Sequence, residues 1–95
     1  MSEHAFQVEH NPAAGRFELA VDGQLAQAQY RRVGERILFT HTEVPEQLEG
    51  RGIASRLAKT ALDYSRDEGL TVVPLCPFIA SYIERHAEYQ DLVGK

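Results

Sequence analysis

Two hydrophobic periods divide the chain. As far as Val44 the apolar residues recur at every second position, and beyond Gly52 they recur at intervals of three and four. Strands are therefore expected first and helices afterwards. Phe6 and Val8 alternate with Gln7 and Glu9, Asn11-Pro12-Ala13-Ala14-Gly15 supplies a turn, and Phe17, Leu19 and Val21 alternate again. Asp22-Gly23 comes next. That dipeptide marks a two-residue hairpin, because a type I′ turn needs positive φ at both central residues. Ala26, Ala28 and Tyr30 carry a third strand, and Val33-Gly34-Glu35 turns the chain into a fourth. There Ile37, Phe39 and His41 are expected on one face, with Leu38, Thr40 and Thr42 on the other.

After Pro45 the period changes. Ile53, Leu57, Ala61 and Tyr64, flanked by Ala54, Ala58 and Leu62, form the inner stripe of a helix from Gly52 to about Asp67, with Gly69 as its stop. Thr71-Val72-Val73-Pro74-Leu75 reads as a short buried strand. A strand that follows a crossover helix lies parallel to the strand before it, here the fourth. Pro77 suits the first position of a second helix, whose inner stripe is Phe78, Ile79, Tyr82, Ile83 and His86. The expected architecture is β-β-β-β-α-β-α, a single α+β domain over residues 1–95. Its mixed sheet combines an antiparallel meander with a parallel pair of strands four and five.

Composition narrows the chemistry. Ninety-five residues suffice for one modest core, and 43% hydrophobic with 25% charged residues is the balance of a folded domain, not a disordered one. A net charge of −4 runs against a nucleic-acid partner, which calls for a basic surface to displace counterions. No apolar run approaches the roughly 20 residues of a membrane span. Met1-Ser2-Glu3-His4 has neither the basic cluster nor the apolar run of a signal peptide. With Cys76 as the lone cysteine there is no intrachain disulfide and no Cys-rich zinc site, and His4, His10, His41 and His86 show no paired ligand spacing. The expectation is a cytoplasmic protein without a metal, monomer or homodimer.

The most informative stretch is Glu46-Gln47-Leu48-Glu49-Gly50-Arg51-Gly52-Ile53-Ala54. It joins the end of a strand to the start of a helix, where unpaired N–H groups and the helix dipole suit an anion such as a phosphate or pyrophosphate. The stretch is neither a Walker loop, since no Gly-Lys-Ser/Thr follows, nor Gly-x-Gly-x-x-Gly, since Ser55 stands at the third glycine. Taken alone, two glycines would serve equally well to make a tight strand-to-helix turn.

Gln47-x-x-Gly50-x-Gly52 resembles the Gln/Arg-x-x-Gly-x-Gly/Ala signature of the GNAT superfamily of N-acetyltransferases. Three blocks make the chain more specifically similar to the short YjdJ-type GNAT-like proteins. These are Glu43-Val44-Pro45 running into Glu49-Gly50-Arg51-Gly52-Ile53-Ala54, then Pro74-Leu75-Cys76-Pro77-Phe78, then Tyr89-Gln90-Asp91-Leu92. The resemblance implies acetyl-CoA, or coenzyme A, as co-substrate and an amine acceptor, either a small molecule or a protein amine. It implies that Gln47 and the backbone N–H groups from Gly50 through Arg51, Gly52, Ile53 and Ala54 hold the CoA pyrophosphate. It further implies that pantetheine lies where strands four and five splay apart, with Thr42–Val44 on one side and Leu75 and Cys76 on the other. An N–H near Val44 would polarise the thioester carbonyl.

Three side chains are candidates for the chemistry itself. Cys76, at or near the cap of the second helix, is either an acyl carrier or polar wall of the site, or simply a small buried hydrophobe. His41, near the end of strand four, is a candidate base for the amine, and Glu43 two residues on shares its face; a histidine among apolar neighbours is as often structural. The chain also departs from the larger family members. It lacks the two helices that separate their first strands. If Ala80 aligns with the usual alanine of the last helix, the position of the family's acidic tyrosine falls on Glu84, with Tyr82 nearby. The competing reading is an acyl-CoA-binding module with little or no turnover; an interaction domain without a ligand stands third.

Overall fold

In the computed structural model, which describes residues 7–94, Asp22 and Gly23 take φ values of 53° and 76°. This is the type I′ geometry that matches the twist of a hairpin. They join β2 (Arg16–Val21) to β3 (Gln24–Val33). Ahead of them β1 (Glu9–Asn11) pairs antiparallel with β2, and β4 (Arg36–Glu43) pairs antiparallel with β3. The helix α1 (Ile53–Asp67) then crosses over to β5 (Thr71–Pro74), which lies parallel to β4, and α2 (Pro77–Arg85) follows. The sheet order is β1-β2-β3-β4-β5. The first strand begins later than its alternation suggested, at Glu9, and Phe6 lies outside the described residues.

One face of the sheet is buried and the other is not. Phe17, Leu19 and Val21, Ala26 and Ala28, Ile37 and Phe39, and Val72 all point into a single core beneath the helices. The residues between them, such as Glu18, Gln27 and Gln29, stay partly open to solvent. Ala26 and Ala28 are small and fully buried, so α1 packs closely over the centre of the sheet, chiefly against β3. From the helical side come Ile53, Leu57, Ala58, Ala61 and Leu62 of α1 and Ile79, Tyr82 and Ile83 of α2. Each large side chain buried in this way contributes about 1.5–3 kcal/mol.

Two peripheral clusters fix the ends. His10 stacks on Phe17 with ring centroids 4.2 Å apart, places Nε2 2.6 Å from the Tyr30 hydroxyl, and meets the edge of Tyr64. Burial holds the His10 imidazole below its ordinary pKa, against an opposing pull from Glu68. At the other end a 3-10 segment, Ala87–Leu92, folds back on α1. Tyr89 donates its hydroxyl to Asp63 at 2.6 Å, and Arg66 pairs with Asp91 at 3.0 Å. Burial, reinforced by Asp63, drives the Tyr89 phenol well above its ordinary pKa. Val93 then makes a parallel bridge to Val72 on the far side of β5.

Candidate active site

The pairing of β4 with β5 stops halfway along β4. It runs from Arg36 opposite Thr71 to Phe39 opposite Pro74, and closes with the Cys76 N–H donated to the Phe39 carbonyl at 2.8 Å. The cause is local: Pro74 has no N–H to donate, and the next N–H, that of Leu75, turns back to the Val73 carbonyl at 3.1 Å. α2 then leads the chain away from the sheet. Thr40–Glu43 keep β3 as a strand partner on one side, while β5 has left the other. Leu75, 59% exposed, stands at the mouth of the resulting gap.

A β-bulge sits at the same place. Tyr30 pairs with Phe39 but Gln29 pairs with His41, so Thr40 is an extra residue in β4. Its insertion reverses the alternation beyond it. Thr42, opposite the buried Ala28, faces the helices, and its hydroxyl lies 3.3 Å from the Cys76 thiol. His41 does not share the face of Ile37 and Phe39, contrary to expectation. It stands on the open face beside Glu43, the two side chains being 58% and 60% exposed with Nε2 and Oε1 3.9 Å apart. That His41 and Glu43 share a face is as expected; which face it is follows from the bulge.

Beyond Val44, which is half-buried, Pro45 leads into a 3-10 turn, Glu46–Leu48, that exposes Gln47 and buries Leu48 under the loop. Gly50 and Gly52 then take φ values of 83° and 75°. A Cβ at either would meet nothing within 4 Å, so it is backbone conformation rather than crowding that calls for glycine. Gly52 is the N-cap of α1 and brings no side chain to the first turn, which leaves that turn's N–H groups directed at the loop. Val44, Leu48, Gly50, Gly52, Ile53 and Ala54 line a small pocket there, of about 130 Å³. Arg51 reaches away from it toward Asp22 at the hairpin tip, 3.9 Å off.

Cys76 is the N-cap of α2, with Pro77 at the first helical position, and its thiol is buried against Thr42. Glu84 is exposed and lines a groove with Pro74, Ala80, Ile83, Gln90 and Val93. Tyr82 is buried and stacked on His86 with ring centroids 3.8 Å apart, a packing role. The structure thus gathers Val44, Gly50, Gly52, Ile53 and Ala54 at one end of the gap and Leu75 and Cys76 at the other, with His41 and Glu43 on its open face. Arg51 and Gln47 lie outside this group. Thr42 is expected only as the first residue of the Thr42–Val44 wall, and no local signal marks its contact with Cys76. Among the described residues no group of three His, Cys, Asp or Glu is placed to hold a metal ion, and no helix is long and apolar enough to cross a membrane.

A parallel strand pair that parts above a glycine-bearing loop at a helix N-terminus is the frame of the GNAT fold. Residues 16–92 match the family model described as GCN5-related N-acetyl-transferase, and the chain belongs to that family. It is 40% identical over 83 residues to Protein NATD1 of Gallus gallus, covering 84% of this chain and 76% of that protein. To Protein NATD1 of Homo sapiens it is 39% identical, covering 84% and 74%. The NMR solution structure of a GCN5-like protein from Staphylococcus aureus superimposes with a TM-score of 0.75 at 26% identity, over 95% of this chain and 89% of that one.

Proposed function

We propose that this protein transfers the acetyl group of acetyl-CoA to an amine. The observation that carries the reading is the gap itself: the half of β4 that loses β5 adjoins both the glycine loop and the Cys76–Thr42 pair. The first-turn N–H groups after Gly52 suit the pyrophosphate, and Arg51 can leave its exposed contact with Asp22 at little cost to add charge. Pantetheine then runs between Val44 and Leu75. In direct transfer the amine nitrogen bonds to the thioester carbon, the C–S bond breaks, CoA leaves as thiolate, and His41, oriented by Glu43, takes the nitrogen's proton. In the covalent route the Cys76 sulfur bonds to the thioester carbon and CoA leaves as the thiol, taking the Cys76 proton. The amine nitrogen then bonds to the acetyl carbon, and Cys76 leaves as thiolate and takes up the nitrogen's proton.

The second reading, an acyl-CoA-binding module, is favoured by one feature. With Ala80 taken as the usual alanine of the last helix, the position of the family's acidic tyrosine holds Glu84, which is exposed and carries no phenol. Calorimetric titration with acetyl-CoA, followed by an assay of amine-dependent thiol release in wild type and His41→Ala, separates the two. Binding with release that falls about 100-fold in His41→Ala supports the enzyme. Binding without release from any amine supports the module, and absence of binding overturns both.

A further inference from the structure

Five polar side chains on the uncovered face of the sheet are joined in a row of hydrogen bonds. Arg16 is paired with Glu18, which also accepts from the Asn11 amide at 2.9 Å. Arg16 donates to the Gln27 Oε1 at 3.4 Å, and the same oxygen accepts from the Gln29 Nε2 at 3.0 Å. A guanidinium can only donate, so Gln27 must turn its oxygen toward Arg16. Gln29 must in turn direct its NH2 at that oxygen, which sets its own Oε1 as an outward acceptor. Across the strand pair, Gln29 stands opposite His41 and Gln27 opposite Glu43. Directly opposed side chains lie about 5 Å apart at Cβ. The bulge at Thr40 is what brings His41 and Glu43 onto the face that holds this ladder.

We infer that this patch docks the acceptor, that it selects a protonated primary amine, and that Gln29 is a specificity-determining residue for it. The inference deepens the transferase reading above and rests on it. The Gln29 oxygen and the Glu43 carboxylate, beside the His41 ring, form a set of acceptors suited to an ammonium group. The positive charge of Arg16 is offset by Glu18. Among the described residues no helix covers this side of the sheet, so an amine on a flexible arm reaches the open edge of β4 from the face opposite the core. The ammonium is held there until a proton passes to His41 and the free nitrogen meets the thioester in the gap.

The test is an NMR titration of the protein already loaded with desulfo-CoA, which blocks transfer. The probes are Nα-acetyl-lysine methylamide and its uncharged analogue Nα-acetyl-norleucine methylamide, which lacks the terminal nitrogen. The lysine probe is expected to shift the Gln29 side-chain amide signals and the norleucine probe to leave them in place. Gln29→Leu should weaken lysine-probe binding about tenfold, the worth of one hydrogen bond to a charged group, with desulfo-CoA affinity unchanged. Gln29→Glu should restore or tighten it, which a merely structural role would not produce. Equal binding of the two probes to wild type, or an unaltered affinity in Gln29→Leu, overturns the inference. Failure of desulfo-CoA to bind shows instead that the functional reading beneath it is wrong.

Discussion

The thiol of Cys76 and the hydroxyl of Thr42 lie 3.3 Å apart across the opening between β4 and β5, although 34 positions separate them in the chain. Each is there because a strand ends or shifts. Pro74 and the turn at Leu75 end β5 and bring Cys76 to the cap of α2, while the extra residue Thr40 rotates Thr42 toward the helices. The pair couples the two walls of the gap through one contact.

If Cys76 carries the acetyl group, wild-type protein mixed with acetyl-CoA should gain one acetyl mass on the peptide containing Cys76, and Cys76→Ala should gain none. Thr42→Val keeps the side-chain shape but removes the thiol's partner, leaving the buried sulfur without a hydroxyl beside it. Adduct formation should slow about tenfold, for a lost hydrogen bond of roughly 1.4 kcal/mol. Intact-protein and peptide mass spectrometry read both. An adduct of equal yield in Cys76→Ala would place the acetyl group elsewhere.

At Gly52 backbone conformation and charge are separable. Gly52→Ala introduces a Cβ with room around it but at a φ of 75°, and should cost about 1–2 kcal/mol in stability while leaving CoA affinity within a few-fold. Gly52→Asp carries the same backbone strain and adds a carboxylate where the pyrophosphate is proposed to lie, and should abolish binding. Urea denaturation and calorimetry distinguish the two effects.

The lowered pKa of His10, caused first by burial and opposed by Glu68, predicts a sensitivity to mild acid. The folded protein binds a proton here less readily than the unfolded chain does. Stability from this group is therefore complete above about pH 6.5, the ordinary histidine value, and declines as pH falls from there toward the lower folded pKa. His10→Gln abolishes the titration and should flatten the slope of stability against pH between about pH 7 and 5. A slope unchanged in the variant would assign the effect to another group.

Asp63 gives a second, more acidic window. Burial tends to raise its pKa, but the Tyr89 hydroxyl and the Lys59 ammonium together outweigh that and hold it below the ordinary value. A depressed carboxyl contributes stability that is present above the unfolded value, about pH 4, and is lost as pH falls through the folded one. Tyr89→Phe should cost about 1 kcal/mol at neutral pH and also shrink the loss of stability seen below about pH 4. Denaturant midpoints at pH 6 and pH 3 provide the comparison.

The elements that repeat their own period were readable in the sequence. The alternation of Phe17, Leu19 and Val21, the Asp22-Gly23 turn and the Ile53, Leu57, Ala61 stripe each carry their structure locally, and the order of elements follows from them. Thr40-His41-Thr42 is different, because three polar residues in a row give no sign of which one is extra. Alternation alone therefore puts His41 on the wrong face, and Thr42, expected in the pantetheine wall, gives no sign of its contact with Cys76. The Gln27–Gln29 ladder needs the register of β2 against β3 and of β3 against β4, which no single strand contains. The 3-10 segment Ala87–Leu92 is held by Asp63 and Arg66 from a distant helix, so its own sequence is a weak guide.

In genetic terms, the bulge makes one codon unusually dispensable. An in-frame loss of the codon for Thr40 would leave every neighbouring residue intact and restore an unbroken alternation to β4. His41 would then still stand opposite Gln29 on the open face, and Thr42 opposite Ala28, beside Cys76. Pairing with Gln29 and Ala28, more than the length of this strand, decides which side chains belong to the reaction and which to the core.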